Sequence, residues 1–186
     1  MSLSKGIDLQ VINREAIIIR IRDVVKRYKN IVVSGEEGVG KITNTLEALQ
    51  DTEQVYYIGN PVDYIGKPRP KGYDKYINYI TSLKKDMRII ADEGEILSLD
   101  LSSLPGKEAV VVIDEVYGRS EAQQKKILEI LAMKNIKVFI IAGCLKNVGK
   151  VIQGMDVVMM LTKDGVLLFD KAFAVQICSI LKPETQ

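Results

Sequence analysis

A glycine-rich stretch that ends in a lysine is the part of this sequence best suited to chemistry. Its members are Gly35, Glu36, Glu37, Gly38, Val39, Gly40 and Lys41. Glycines let backbone N–H groups converge on a phosphate without clashes from Cβ atoms, and the lysine adds a mobile positive charge. The run fits seven of the eight positions of the phosphate-binding pattern G-x-x-x-x-G-K-[ST]. A β-branched strand precedes it and a helical pattern follows, so we expect this loop to bind phosphate.

The position after the lysine departs from that pattern. A serine or threonine there would offer Mg²⁺ a hydroxyl ligand, whereas Ile42 carries only a branched alkyl side chain. The hydroxyl of Thr43 lies roughly 100° further round a helix, which makes it a poor substitute. Three outcomes stay open: Mg²⁺ held by water and Asp114 alone, nucleotide binding without fast hydrolysis, or a lost activity. We favour slow or absent turnover, with Asp114 and Thr43 as the candidate metal ligands.

Two adjacent carboxylates follow the most hydrophobic segment of the chain. The run Ala109 to Ile113 predicts a strand that is covered on both faces, and it ends in Asp114 and Glu115. Acidic groups at that end would lie in the crevice where open α/β sheets bind ligands. Asp114 would then hold the Mg²⁺ shell, and Glu115 would orient and deprotonate an attacking water, with Lys41 as the third catalytic candidate. The alternative is a solvated strand end.

Two further positions near these strands are candidates. Asn147, or Lys146 beside it, could reach a γ-phosphate or its water, but the same residues equally fit a turn into a helix. Arg119 could stabilise charge in a phosphate reaction. We interpret it instead as a surface residue on the loop before the next helix, because arginine is seldom fully buried.

Tyrosines and basic residues are interleaved between residues 57 and 79. They are Tyr57, Tyr64, Tyr73, Tyr76 and Tyr79, together with Lys67, Arg69, Lys71 and Lys75. Single-stranded nucleic acid is bound by such a combination, so this region is a candidate surface for a protein or DNA partner. The favoured interpretation is half-buried tyrosines on a helix beside a solvated loop, given a net charge of only +2.

Strand and helix patterns alternate along most of the chain. Expected strands cover 31–34, 54–58, 97–102, 109–113, 137–142, 157–161 and 166–169. Expected helices begin after Asn13, the proposed cap, and cover 41–50, 73–85, a stretch from Ser120, and 172–181. This order predicts one α/β domain over 1–186, a three-layer sandwich with a mainly parallel sheet of about five strands. A hairpin and a helix over 163–182 would close it.

Composition excludes several classes of function. The chain has no histidine, so His-assisted nucleophilic catalysis and His-based zinc sites are excluded. Its two cysteines match no metal or redox spacing. No apolar run approaches the ~20 residues of a membrane span, and no secretory signal is recognisable. We therefore expect a cytoplasmic protein without a membrane partner.

The motifs together resemble the core of AAA+-type P-loop ATPases, and most closely the archaeal and bacterial ATPases related to origin-recognition and loader proteins. The similarity covers about 11–162 and rests on 13–15, the Walker A-like 35–41, the Walker B-like 110–115, and 138–143. It implies ATP and Mg²⁺ as ligands.

The resemblance also assigns roles to individual residues. Lys41 would contact the β- and γ-phosphates, Asp114 would hold Mg²⁺ and Glu115 would act as base. Asn147 would lie near the sensor position, and the segment 13–15 near the adenine. The strand that ends at Asp114 would lie next to the strand before the glycine loop.

The sequence also departs from the family. Ile42 breaks Walker A, the 24 residues after 162 are too few for the family's helical lid domain, and no arginine follows Arg119. The first hypothesis is therefore an ATP-binding protein with slow or absent hydrolysis. The alternatives are a non-catalytic interaction module on the same fold and, less favoured, a small nucleotide kinase. An oligomer is compatible with each.

Overall fold

The computed structural model describes residues 10–11, 14–59, 73–90, 93–102, 108–163 and 165–180. The helices are α1 (Arg14–Arg27), α2 (Lys41–Ala48), α3 (Tyr73–Leu83), α4 (Glu93–Ser98), α5 (Glu121–Ala132) and α6 (Lys171–Ile180). The strands are β1 (Gln10–Val11), β2 (Asn30–Gly35), β3 (Val55–Ile58), β4 (Arg88–Ile90), β5 (Ala109–Asp114), β6 (Ile136–Ala142), β7 (Val157–Leu161) and β8 (Gly165–Asp170). A 3₁₀ segment covers Leu145–Gly154.

These strands form one sheet in the order β1-β8-β7-β2-β6-β5-β3-β4. The six strands from β2 to β7 pair in parallel, whereas β8 pairs antiparallel with both β7 and β1. The expected α/β class, the mainly parallel sheet and the C-terminal hairpin are therefore confirmed. The expected count of about five strands is too low for the described part of the chain.

Helices cover both faces of the sheet. Neighbouring residues of β2 point to opposite sides, so Val32 belongs to one buried cluster and Val33 to the other. The first cluster includes side chains of α4, α5 and the 3₁₀ segment, and the second includes side chains of α1, α2 and α3. Because the central strands are covered on both sides, they appear in the sequence as continuous apolar runs.

The strand predicted over 97–102 is wrong. Leu99 and Leu101 are buried and alternate with polar residues, but α4 extends to Ser98 and no strand is formed over 99–102. The following chain turns, because Asp100 Oδ1 accepts a hydrogen bond from the Ser102 backbone N–H at 2.9 Å. The edge of the sheet is formed instead by β4, whose three residues are too few to show a pattern.

The expected adjacency of the two motif strands is also wrong. β6 lies between β2 and β5 and pairs in parallel with both. Hydrophobic pattern shows that a strand is central but not which strand pairs with it, so the order could not be read from sequence. As a consequence, the end of β6 at Gly143 lies between the glycine loop and the acidic pair.

Candidate functional site

The glycine loop begins where β2 meets β7. Gly35 has φ +149°, and a Cβ atom there would lie 2.3 Å from the carbonyl oxygen of Leu161. No side chain fits that position, because the obstructing atom is the backbone of a paired strand. Gly35 is therefore required by close approach of two strands, and it sets the direction in which the loop leaves the sheet.

Two further glycines give the loop its shape. Gly38 has φ +80°, and Gly40, the residue that caps α2, has φ +81°. Val39 between them does not have positive φ, so left-handed and ordinary conformations alternate. Such alternation turns successive N–H groups toward one side, a geometry that suits an anion. Among the described residues, none accepts a hydrogen bond from the N–H groups of residues 38 to 41. These donors also lie at the positive end of the α2 dipole.

Lys41 is folded back over this loop. Its Nζ atom donates hydrogen bonds to the carbonyl oxygens of Gly35 at 2.7 Å and Glu36 at 2.8 Å. The ammonium group is thus held at the mouth of the turn, where an anion on the free N–H groups would meet it. The Lys41 ammonium group could exchange these two neutral carbonyl oxygens for a phosphate oxygen, because a hydrogen bond between two charged groups is stronger.

The Lys41 ammonium also experiences the acidic pair. Its pKa is lowered from the ordinary value of 10.5, mainly because burial removes water from the charged form. The negative charges of Asp114, Glu115 and Glu37 oppose this and raise the pKa. The glycine loop and the strand end at Asp114 therefore form one electrostatic site, although β6 separates their strands.

Asp114 is a buried carboxylate with a tyrosine partner that sequence reasoning missed. The hydroxyl of Tyr57 donates to its Oδ2 atom at 2.8 Å, and Tyr57 itself is completely buried. The two meet because β3 and β5 pair in parallel and both approach the same end of the sheet. Tyr57 had been assigned to the candidate partner surface over 57–79, and its burial removes it from that surface.

Glu115 has an unusual backbone. It has φ +60°, and no other described residue except glycine has positive φ. Its Oε2 atom accepts a hydrogen bond from the Gly143 N–H at 3.1 Å, and its Oε1 atom accepts one from the Val116 N–H at 3.3 Å. A side chain in the left-handed region costs of order 1 kcal/mol or more, and such conformations concentrate at functional sites. The carboxylate is thereby fixed across the end of β6.

Arg119 is buried, so its interpretation as a surface residue is wrong. Only 4% of it is exposed. Its guanidinium donates to three carbonyl oxygens: Nε to Glu115 at 2.8 Å, and Nη2 to Gly59 at 2.7 Å and Asp114 at 3.0 Å. These bonds connect the ends of β3 and β5 and brace the strained turn at Glu115. Desolvation lowers the pKa of Arg119 to about 10, while Asp114, Tyr57 and Glu115 act to raise it.

Asn147 lies beside Glu115. A Cβ atom placed on Gly143 would be 3.8 Å from Glu115 Oε2 and 3.9 Å from Asn147 Nδ2, so both groups border the same point at the end of β6. Lys146 is exposed on the same 3₁₀ segment. The structure thus brings Asn147 close to Glu115.

The side chains of Ile42, at the degenerate position, and of Thr43 after it are both engaged within the protein. Ile42 packs against the buried cluster beneath α1, α2 and α3. The Thr43 hydroxyl is 2.7 Å from the Tyr79 hydroxyl, with which it forms a hydrogen bond. Asp114 is therefore the better placed of the two predicted metal ligands. Across the described ranges, no three acidic or cysteine side chains are close enough to hold a metal ion.

A cavity of about 540 Å³ adjoins the outer side of the loop. Its walls include the glycines of the turn and the start of α1, where Arg14 forms an ion pair with Glu47 and a 3.4 Å hydrogen bond to Asn44. This volume is in the usual range for a small-molecule pocket. A second cavity, of about 450 Å³, lies on the other side of the loop against Cys144 and Leu145.

Part of the predicted site falls outside the described residues. Asn13 lies there, as do Tyr64, Lys67, Arg69 and Lys71 of the candidate partner region. Tyr79 is described and is 49% exposed, with its hydroxyl on Thr43.

No known protein family matches the sequence, and no curated protein is significantly similar to it. None of the helices in the described ranges is both long and apolar enough to cross a lipid bilayer. The function is therefore argued from the geometry of the site.

Proposed function

We propose that the protein binds ATP on the loop from Gly35 to Lys41 and hydrolyses it slowly or not at all. One observation carries the proposal. The backbone N–H groups of residues 38 to 41 have no acceptor among the described residues, they precede α2 in a turn shaped by two left-handed glycines, and the Lys41 ammonium group lies over the same turn. The oxygens of a polyphosphate would accept hydrogen bonds from these N–H groups, and they would replace the two carbonyl oxygens as partners of the Lys41 ammonium group. The resemblance to AAA+-type P-loop ATPases is part of this proposal.

The remaining groups fit the nucleotide around that anchor. The 540 Å³ cavity beside Arg14 and Asn44 is adjacent to the loop and would take the nucleoside. Glu115 and Asn147 border the end of β6 on the inner side, where a terminal phosphate and its attacking water would lie. Glu115 would orient that water and accept its proton.

Slow turnover follows from what surrounds the metal position. Mg²⁺, when bound, supplies positive charge on the phosphates, and the Asp114 carboxylate is the side chain placed to hold it. Ile42 contributes no oxygen, and the Thr43 hydroxyl is engaged by Tyr79. With one protein ligand in place of two, we expect the metal to be held weakly. A protein that binds ATP for a conformational or interaction purpose would have the same site.

Calorimetric titration with ATP, with and without Mg²⁺, tests the proposal. We expect saturable binding at or below millimolar nucleotide, and a loss of about 10- to 100-fold in Lys41→Ala, since a charge-assisted bond contributes about 1.5–3 kcal/mol. Lys150→Ala, at an exposed lysine outside the loop, is the matched control. Absence of binding at millimolar ATP, or equal losses in the two variants, would refute the proposal.

Phosphate release measured on wild type and Glu115→Gln separates the two forms of the proposal. Turnover that the substitution abolishes identifies an ATPase. If wild type binds ATP and releases no phosphate, the protein is a non-catalytic nucleotide binder.

A further inference from the structure

A positively charged cleft lies at the end of the sheet opposite the glycine loop. It has a volume of about 260 Å³ and is formed where β2, β5 and β6 begin. Its walls come from the end of α1 with the turn after it, from the residue before β5, and from the turn between α5 and β6. The lining residues are Lys26, Arg27, Tyr28, Lys29, Glu108, Lys134, Asn135 and Lys137.

The charge of the cleft exceeds that of the whole protein. Five of its side chains are cationic and one is acidic, a net of four positive charges. The complete chain of 186 residues has a net charge of +2, so everything outside the cleft sums to two negative charges. The cleft is therefore a local excess of positive charge, which attracts anions.

The fold uses only some of these cations. Lys29 Nζ donates to the carbonyl oxygen of Leu131 at the end of α5, at 2.8 Å. Lys137 Nζ donates to the carbonyl oxygen of Val25 near the end of α1, at 3.0 Å, and lies 3.1 Å from a Glu108 carboxylate oxygen. Both lysines thus stabilise the negative ends of helix dipoles.

The other three cations have little or no such role. The side chains of Arg27 and Lys134 form no hydrogen bond or ion pair with a described residue. Lys26 is 76% exposed, and its one ion pair, with Asp23, spans 3.7 Å, at which distance a surface contact contributes little. Asp156, a further carboxylate near the start of β2, accepts hydrogen bonds from the backbone N–H groups of Lys29 and Asn30. Three cations are therefore available to a ligand.

An aromatic ring lies among these charges. Tyr28 stands between Arg27 and Lys29 in the chain and is 38% exposed. Cations alone would suit any polyanion, but a partly exposed ring beside them offers a nucleobase a stacking surface. We propose that this cleft binds single-stranded nucleic acid, with a phosphate among Lys26, Arg27 and Lys134 and an adjacent base on Tyr28. The surface is distinct from the glycine loop and from the 57–79 region.

Fluorescence anisotropy of labelled dT15, titrated with the full protein over a series of salt concentrations, tests this surface. The cleft variant is Lys26→Glu/Lys134→Glu. The control is Lys150→Glu/Lys171→Glu, which changes the net charge equally at exposed lysines outside the cleft. Because the cleft is proposed to hold one phosphate, loss of that contact should reduce the magnitude of the slope of log K against log salt by about 0.7, the contribution of one phosphate on a single strand. We expect at least a tenfold loss of affinity in the cleft variant and less than threefold in the control.

Two further comparisons separate nucleic acid from other anions. Tyr28→Leu should weaken dT15 binding by about fivefold or more, while Tyr28→Phe, which keeps the ring, should bind like wild type. Poly-glutamate of equal charge should compete at least tenfold less well than unlabelled dT15. Thermal unfolding of each variant, followed by circular dichroism, confirms that it is folded.

Three results would overturn the inference. One is equal loss of affinity in the cleft and control variants. Another is full competition by poly-glutamate together with no effect of Tyr28→Leu, which would describe a nonspecific anion surface. The third is loss of dT15 binding in Lys41→Ala, which would locate the oligonucleotide on the glycine loop.

Discussion

Removing one buried oxygen atom tests the link between Tyr57 and Asp114. The Tyr57 side chain is fully buried, and its hydroxyl donates to Asp114 Oδ2 at 2.8 Å. Tyr57→Phe deletes this donor and keeps the ring, so the packing of the core is preserved. A hydrogen bond to a charged group contributes about 1.5–3 kcal/mol. Because Asp114 is only 7% exposed, water cannot fully replace the lost donor, and we expect the free energy of unfolding to fall by about 2 kcal/mol.

Urea denaturation followed by far-UV circular dichroism is the appropriate assay, since the chain has no tryptophan. Tyr56→Phe is the matched control, because the neighbouring Tyr56 is half-buried on the other face of β3. Its effect should stay within about 0.5 kcal/mol. A double-mutant cycle with Asp114→Ala should give a coupling free energy of about 1–2 kcal/mol. If Tyr57→Phe costs no more than Tyr56→Phe and the coupling vanishes, the hydroxyl does not support the carboxylate and the reasoning fails.

Three further predictions concern the same site. Arg119→Met should lower the free energy of unfolding, measured by urea denaturation, by about 3 kcal/mol, because three carbonyl oxygens lose a charged donor. The desolvation that lowers the pKa of Arg119 to about 10 is relieved in this variant and offsets part of the loss. A loss below about 1 kcal/mol would show that the guanidinium does not brace the turn. ATP affinity should fall as the pH rises, beginning below 10.5, because the pKa of Lys41 is lowered and the neutral amine no longer attracts phosphate; calorimetry on Lys41→Ala should show no such fall, and a flat wild-type profile over the alkaline range would contradict the role of Lys41. Ile42→Thr should raise the Mg²⁺-dependent part of ATP affinity or turnover and lower the free energy of unfolding by about 1 kcal/mol, since Ile42 packs against the core. An unchanged Mg²⁺ dependence, with ATP binding still weakened by Lys41→Ala, would mean that another group holds the metal.

The local sequence pattern was sufficient to predict the strands and helices that carry the glycine loop and the acidic pair. The β-branched run of β5 is apolar throughout because both of its faces are buried, and that property is visible in sequence. A helix was likewise predicted to begin at Ser120, and Ser120 caps α5 with both hydrogen bonds of a capping box with Gln123 present. The shape of the glycine loop was predictable in outline, since glycine adopts the positive φ seen at Gly38 and Gly40 without the steric cost of a Cβ atom.

Features that depend on pairing between distant segments were not predictable. The position of β6 between β2 and β5 follows from sheet order, which hydrophobic periodicity does not encode. Burial of Arg119 depends on the carbonyl oxygens of three residues at the ends of two strands, and a lone arginine after an acidic pair gives no sign of that. Tyr57 gave one weak signal, an aromatic hydroxyl near the end of a strand. Its partner became identifiable only once β3 and β5 were known to be neighbours.

A crystal structure with a non-hydrolysable ATP analogue and Mg²⁺ tests the central claim most directly. Phosphate oxygens are predicted on the N–H groups of residues 38 to 41, with Lys41 Nζ moved from the carbonyl oxygens of Gly35 and Glu36 onto the phosphates. The metal should contact Asp114 and water, without Thr43. A complex in which Lys41 Nζ still donates to the carbonyl oxygens of Gly35 and Glu36 while the nucleotide lies elsewhere would contradict the account.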